Sequence, residues 1–170
     1  RSALVRREFP NRLSVTLDEF QPVALWGFEG DGKFLSVEGA IFEVNADDVD
    51  SESLPLLKGP ESQAKTVLEM YKFLKPMLAK MDMALDRLEL SQRGSWTAQL
   101  ATGATLELGH GTHQEISDRL QLFFKTLTQV ASRYGRTVTS LLSADLRYDN
   151  GYALRLRGVS TVVPDGLKKP

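Results

Sequence analysis

One eight-residue stretch has residue types and a spacing that could support chemistry. Residues 59–66 read GPESQAKT, one residue from a phosphate-binding loop, and within them Ser62 and Lys65 have the S-x-x-K spacing of penicillin-binding enzymes. A phosphate loop is disfavoured because Ala64 replaces its second glycine and Pro55 stands where a buried parallel strand is needed. The serine–lysine pair lacks the S-D-N and K-T-G motifs that complete its mechanism. We therefore predict no catalytic residue, no cofactor and no enzymatic activity.

Metal binding is the second chemistry that the residue types suggest. His110 and His113 are the two histidines of the chain, and they could share a metal only with carboxylates such as Glu107 or Glu115. The acidic residues at 47–52 lack the spacing and the central glycine of an EF-hand loop. Both groups fit solvent-exposed loops better, so we predict no metal site.

Composition excludes several classes of function. The 170 residues carry a net charge of −1 with interspersed signs, which provides no basic surface for nucleic acid or for an anionic membrane. The chain has no cysteine, which excludes disulfides and thiol catalysis. No apolar run approaches the ~20 residues of a membrane span. The sequence starts at Arg1 inside a strand-like segment, so we expect a fragment whose N-terminal part is missing.

The elements that would position any site follow from hydrophobic periodicity. Alternation predicts two strands within residues 1–26, short strands at 23–26 and 33–44, and further strands within 85–109. Apolar residues at helical spacing predict one helix that starts at Gly59-Pro60 and is weakened by Pro76, and a second from Gln114 to Tyr134 that Gly135 ends. We expect an α+β fold: a largely antiparallel β-sheet, both helices packed on one face, and the C-terminal strand at the sheet edge.

The clearest hairpin signal is residues 141–157, where two alternating segments meet at Asp149-Asn150-Gly151. A two-residue turn would mix charged and apolar side chains on both faces. A three-residue turn closed by Gly151 gives one apolar face instead, so we expect that register. It pairs Tyr148 with Tyr152, Leu146 with Leu154 and Ala144 with Leu156, and it sets Asp145 opposite Arg155.

The strand after this turn is expected to have one unpaired side. Hairpin geometry predicts that the backbone N–H groups of Ala153, Arg155 and Arg157 point outward and that of Leu154 points inward. Two interpretations stay open for this edge. Arg155 and Arg157 could protect it against aggregation, or the edge could accept a strand from a partner protein.

Five motifs in order resemble one family. They are VRREFPNRLSVTLDEFQPVALW, LPLLKGPE before a helix, MLAK at the end of that helix, RGSW opening a strand, and DLRYDNG at the final hairpin. Together they are similar to the FtsQ (DivIB-related) family of Gram-negative bacteria, from about Val5 to Leu156. The sequence departs from the family in the entry to the second helix, GHGTHQEISD, in TSLLSA before DLRY, and in Leu156, where the family often has Trp.

The resemblance implies a non-enzymatic scaffold of the cell division machinery. The whole protein would be anchored in the inner membrane by a single N-terminal helix, which is missing here, and this fragment would lie in the periplasm. Residues 1–22 would be the end of a POTRA domain, residues 23–158 the β domain, and residues 159–170 a C-terminal tail. The implied partners are FtsB, FtsL and other divisome proteins, and the implied role is control of septal peptidoglycan synthesis.

The resemblance also implies a partner-binding site at the last hairpin. It would comprise Arg93, which would meet a partner carboxylate, together with Arg147, Tyr148, Asn150, Gly151, Ala153 and Arg155. Two alternative functions remain: a POTRA-type outer-membrane assembly or transport factor, and a periplasmic cell-wall enzyme. Repeated POTRA units would favour the former, and the chain has no internal repeat.

Overall fold

A nine-stranded mixed β-sheet and two helices form most of the fold. The computed structural model describes residues 2–9, 11–18, 20–44, 51, 53–148 and 151–159. The described helices are α1 (Ala64–Ala79) and α2 (His113–Arg133). The described strands are β1 (Ser2–Glu8), β2 (Arg12–Asp18), β3 (Pro22–Trp26), β4 (Lys33–Ser36), β5 (Ile41–Glu43), β6 (Leu56–Lys58), β7 (Leu85–Leu90), β8 (Trp96–Leu100), β9 (Thr105–Gly109), β10 (Leu141–Asp145) and β11 (Ala153–Leu156).

The strand order places the C-terminal strand at one edge of the sheet. Strands β1 and β2 pair antiparallel in a separate two-stranded sheet, and the large sheet has the order β11-β10-β9-β8-β7-β6-β3-β4-β5. Its neighbours pair antiparallel except at β10–β9, β7–β6 and β6–β3, which are parallel. The predicted α+β class, the predominance of antiparallel pairing and the edge position of the last strand are confirmed.

Strand β6 is an element that the sequence prediction missed. Residues Leu56–Lys58 lie between β3 and β7 and pair parallel with both, and Leu57 is fully buried. The prediction that Pro55 excludes a buried parallel strand before residues 59–66 was therefore wrong. The proline directly precedes the strand, where its missing N–H disturbs no interior pairing.

The helix starts explain how α1 and α2 are held over the sheet. A 3₁₀ turn at Glu61–Gln63 precedes α1, and Pro76 lies within its last turn without ending it. In α2 the Thr112 hydroxyl accepts from the Glu115 N–H while the Glu115 carboxylate accepts from the Thr112 N–H, which is a capping box. Both helices contribute their buried side chains to the same core as the alternate apolar residues of β7, β8 and β9.

The β10–β11 register differs from the predicted one by two residues. Asp145 pairs with Ala153, Ala144 with Leu154 and Ser143 with Arg155, and a bulge follows between Leu141 and Ser143. Because the difference is an even number, Leu154 and Leu156 still face the core side while Ala153 and Arg155 face solvent. The predicted apolar face is right, but the predicted residue pairs are wrong. Asp149 and Asn150, at the centre of the turn, lie outside the described residues.

The backbone directions in β11 are also the reverse of those predicted. The Leu146 N–H donates to Glu107 O of β9 at 2.8 Å, so the N–H groups of Ser143 and Asp145 point toward β11. On the other strand, the Arg157 N–H donates inward to Ser140 O at 2.7 Å. By alternation, Ala153 and Arg155 also direct their N–H groups inward, and those of Leu154 and Leu156 point outward from the edge.

Proline substitutions should distinguish the two sides of β11. Ala153→Pro removes an N–H that bonds to β10 and leaves a carbonyl without its donor. The free energy of unfolding should fall by about 1–3 kcal/mol. Each kcal/mol should lower the melting temperature by about 2–4 °C. Leu154→Pro removes an outward N–H that no described strand accepts. Its melting temperature should therefore be close to that of Leu154→Ala, which controls for the loss of the leucine side chain. Thermal melts of the three variants check this order, and an Ala153→Pro variant as stable as wild type would contradict the assigned directions.

Candidate interaction edge

Two loops that carry predicted residues meet at the end of the sheet where β9 and β10 finish. Trp96 pairs with Gly109, so the β7–β8 turn that holds Arg93 lies beside the end of β9. Gly109 has a φ of +76°, and a Cβ atom there would lie 2.9 Å from Cγ of Arg147. Arg93 and Arg147 are therefore at the same end of the sheet, separated by strand spacings that total about 10–15 Å.

Arg93 lies in a turn that is held by its neighbours. The Ser91 hydroxyl accepts from the Ser95 N–H at 3.0 Å, and the Gly94 N–H donates to Ser91 O at 2.9 Å. The side chain of Arg93 is exposed and forms no ion pair with any described residue. The turn thus presents a guanidinium group to solvent from a fixed backbone.

Arg147 is paired within the chain rather than unpartnered. Its Nε donates to Asp145 Oδ1 at 2.8 Å and its Nη2 donates to Oδ2 at 2.6 Å, which is bidentate geometry. These hydrogen bonds hold the pKa of Asp145 below its usual value and raise the pKa of Arg147. The predicted cross-strand pair of Asp145 with Arg155 is wrong, because Arg155 lies opposite Ser143.

The two tyrosines of the hairpin have different surroundings. Tyr148 is 58% exposed, although the predicted register set it on the apolar face opposite Tyr152. Tyr152 packs edge-on against Phe123 of α2, with ring centroids 5.3 Å apart, and its hydroxyl contacts the hydroxyl of Thr126. Tyr152 therefore fixes the start of β11 to the helix, while Tyr148 is available at the surface.

The remaining predicted residues lie along the free edge. Gly151 is half-buried, and Ala153 and Arg155 are exposed on the face opposite the helices. Asn150 was also predicted, but it lies outside the described residues. Since no strand follows β11 in the sheet order of the described chain, the outward N–H groups at this edge have no strand partner there.

Arg119 supports this end of the sheet and was not predicted. Its Nη1 donates to Leu108 O at 2.9 Å and to His110 O at 2.6 Å, which ties the β9–α2 loop to the helix. That loop contacts Arg147 through Gly109. The available signal was an arginine beside Leu120 and three residues after Ile116, on the apolar side of α2.

Residues 24–147 match the family model described as cell division protein FtsQ/DivIB, C-terminal. The chain belongs to the FtsQ/DivIB family. Cell division protein FtsQ of Burkholderia pseudomallei (strain K96243) is 36% identical over 160 residues, which cover 94% of this chain and 61% of that protein. The FtsQ proteins of Bordetella pertussis and Escherichia coli K12 are 35% and 33% identical, covering 92% and 88% of this chain and 60% and 52% of their own lengths.

The FtsQ/DivIB match confirms the predicted resemblance and shows which part of the chain and of its relatives it covers. The chain spans about three fifths of the first of these relatives. Arg93 and Arg147 lie inside the range of the family model, whereas β11 lies beyond it. Among the described residues, neither α1 nor α2 is long and apolar enough to cross a membrane.

The serine–lysine candidate of this FtsQ/DivIB chain lies apart from the edge. Ser62 and Lys65 are exposed at the start of α1, and neither side chain forms a hydrogen bond with a described residue. A Cβ at Gly39 would lie 2.9 Å from Cα of Lys65, so the β4–β5 turn covers this helix start.

Of the histidine candidates, His110 lies beside the turn of Arg93, because its Nδ1 would lie 3.6 Å from a Cβ at Gly94. The His113 ring packs edge-on against the Phe73 ring, with ring centroids 5.0 Å apart. Within the described ranges, no three His, Cys, Asp or Glu side chains are grouped as metal ligands.

The Asp145–Arg147 pair predicts a pH dependence of stability. The pKa of Asp145 is lower in the folded state than its ordinary value of 3.8, so the pair stabilises the fold above about pH 4. That contribution is lost as the pH falls through the lowered pKa. Asp145→Asn should therefore lower the melting temperature by a few degrees at most at pH 7, and the difference from wild type should shrink below about pH 4. Melts between pH 7 and pH 2 test this, and a difference that grows in acid would contradict it.

Proposed function

We propose that this chain is the periplasmic part of a non-enzymatic divisome scaffold that binds FtsB and FtsL by accepting a strand at the edge of β11. The whole protein would be held in the inner membrane by an N-terminal helix and would help control septal peptidoglycan synthesis. Residues 1–22 would be the end of a POTRA domain, 23–158 the β domain and 159–170 the tail. Membership of a cell division family supports the divisome role.

The free edge of β11 is the observation that carries the proposal. The N–H groups of Leu154 and Leu156 point away from β10, and main-chain groups in that arrangement pair with an added strand whatever its sequence. Side chains beside the edge then select the partner. Arg155 and Tyr148 are exposed there, and Arg93 lies at the adjacent end of the sheet.

The arginines support a partner segment with carboxylates. Arg93 forms no ion pair with any described residue, so a partner carboxylate would not need to displace another. Arg147 is different, because Asp145 already accepts both of its hydrogen bonds. A partner acid at Arg147 would therefore share an existing pair, and we assign the stronger contribution to Arg93.

The direct test is a titration of the chain with the periplasmic segment of FtsB from the same bacterium. Wild type and Leu154→Ala should bind, whereas Leu154→Pro should remain folded and lose binding, because it lacks one outward N–H and presents a ring at the edge. Calorimetry measures the affinity and a thermal melt checks the fold. Equal affinities for Leu154→Pro and Leu154→Ala would show that recognition does not use this edge.

A charge reversal tests the contribution of Arg93. Arg93→Glu should weaken binding of the FtsB segment by about 1–3 kcal/mol and leave the melting temperature nearly unchanged, because the turn is held by Ser91. Arg93→Lys, which keeps the charge, is the matched control and should bind more tightly than Arg93→Glu. If Arg93→Glu bound as well as wild type, Arg93 would have no place in the interface. Arg147→Glu is a poorer probe, since it would also place two carboxylates together at Asp145.

A further inference from the structure

A groove runs between the free edge of β11 and the helix α2. One wall consists of residues spaced four apart along α2 and directly after it, and the other consists largely of residues of β11. The groove has a volume of about 850 Å³. Its lining includes Leu122, Thr126 and Val130 of α2, Tyr134 directly after the helix, and Leu154, Arg155 and Leu156 of β11.

Apolar side chains in this groove remain in contact with water. Leu122 is 41% exposed, Tyr134 is 52% exposed, and Leu142, which also lines the groove, is 40% exposed. Isolated exposed apolar residues are ordinary, but these three line one groove beside the edge strand β11. The groove is therefore continuous with the edge that the proposed function assigns to a partner.

We propose that this groove binds the apolar side chains that alternate along the strand added to β11. The inference rests on the proposed function and specifies the chemistry of the partner segment. An added strand lies about 4.8 Å from β11, and its residues point alternately to the two faces of the sheet. Those on the helix side enter the space between Leu154 and α2. Those on the other side point away from α2, on the face of Ala153.

Tyr152 connects the two walls of the groove. Its ring packs against Phe123 and its hydroxyl contacts Thr126, so side-chain contacts connect the start of the edge strand to the helix. These contacts hold the start of β11 against α2. An acidic or strongly polar side chain that entered between Leu122 and Leu154 would lose hydration against apolar side chains, and the described lining offers it a cation only at Arg155.

The competing occupant is the chain's own segment after Val159. A turn joins the Val159 N–H to Leu156 O at 3.2 Å, and Val159 lines one end of the groove. The lining also includes Leu154 and Leu156, whose outward N–H groups lie at the open edge of β11. This continuity between the groove and the open edge favours the partner strand as the occupant.

The experiment compares Leu122→Asp with Gln129→Asp, which places the same charge on the same helix at an exposed position outside the groove lining. The probe is the periplasmic FtsB segment. Leu122→Asp should weaken binding at least about tenfold, whereas Gln129→Asp should bind as wild type does. The conservative Leu122→Met keeps an apolar side chain in the groove and should bind more tightly than Leu122→Asp. Thermal melts confirm that the variants fold. In the partner, an apolar residue on the helix side exchanged for Asp should have the same effect.

The outcomes separate this inference from the proposed function. If Leu154→Pro abolishes binding while Leu122→Asp binds normally, the edge docks a partner and the groove inference is overturned. If a chain ending at Val159 binds the FtsB segment more tightly and Leu122→Asp then has no effect, the chain's own segment is the occupant and the inference is again wrong. If wild type does not bind FtsB, both fail. If Leu122→Asp weakens binding while Gln129→Asp does not, the result supports the groove as the binding site.

Discussion

The parallel pairing of β10 with β9 determines where the chain ends in the sheet. Two consecutive parallel strands require a crossover, and α2 supplies it across the apolar face, where Ile116, Phe123 and Leu127 are fully buried. Once β10 is fixed beside β9, the hairpin that follows can extend only outward. Strand β11 is therefore the outermost strand, and the proposed docking edge is a consequence of the crossover.

The same pairing explains which part of the hairpin could be predicted from the sequence. Alternation of apolar residues correctly assigned Leu154 and Leu156 to one face, because side-chain facing depends only on parity. The residue pairs could not be predicted from the turn alone. Glu107 O accepts the Leu146 N–H, so Leu146 cannot form the hydrogen-bonded pair with Leu154 that the three-residue turn would require. A hairpin interpretation considers one neighbour, whereas β10 has two, and the second neighbour decided the register and the direction of each N–H.

In the candidate site too, features that depend on a short stretch of sequence could be predicted, and those that depend on strand pairing could not. The motifs identified Arg93 and Arg147, and the family match confirms the resemblance from which these residues came. The ion pair of Asp145 could be predicted only with the correct β10–β11 register. The register differs from the predicted one by two residues, so Arg155 lies away from Asp145. Arg147, two residues along on the same face, is the cation that pairs with Asp145 instead. Strand β6 was missed because three residues are too short for a periodic signal. Arg119 was missed because an arginine on a helix usually faces solvent.

The two interpretations of the edge, protection and docking, are compatible once the side chains are assigned to faces. If two copies of β11 paired antiparallel, Arg155 of each would lie near the other on the solvent face, and like charges that face each other across strands are destabilising. An acidic partner strand would experience attraction at the same position. The outward N–H groups of Leu154 and Leu156 make no such distinction, since backbone groups pair with any strand. Arg155 can thus disfavour self-association and favour a chosen partner, which is why an unpaired edge can persist in a protein that works by binding.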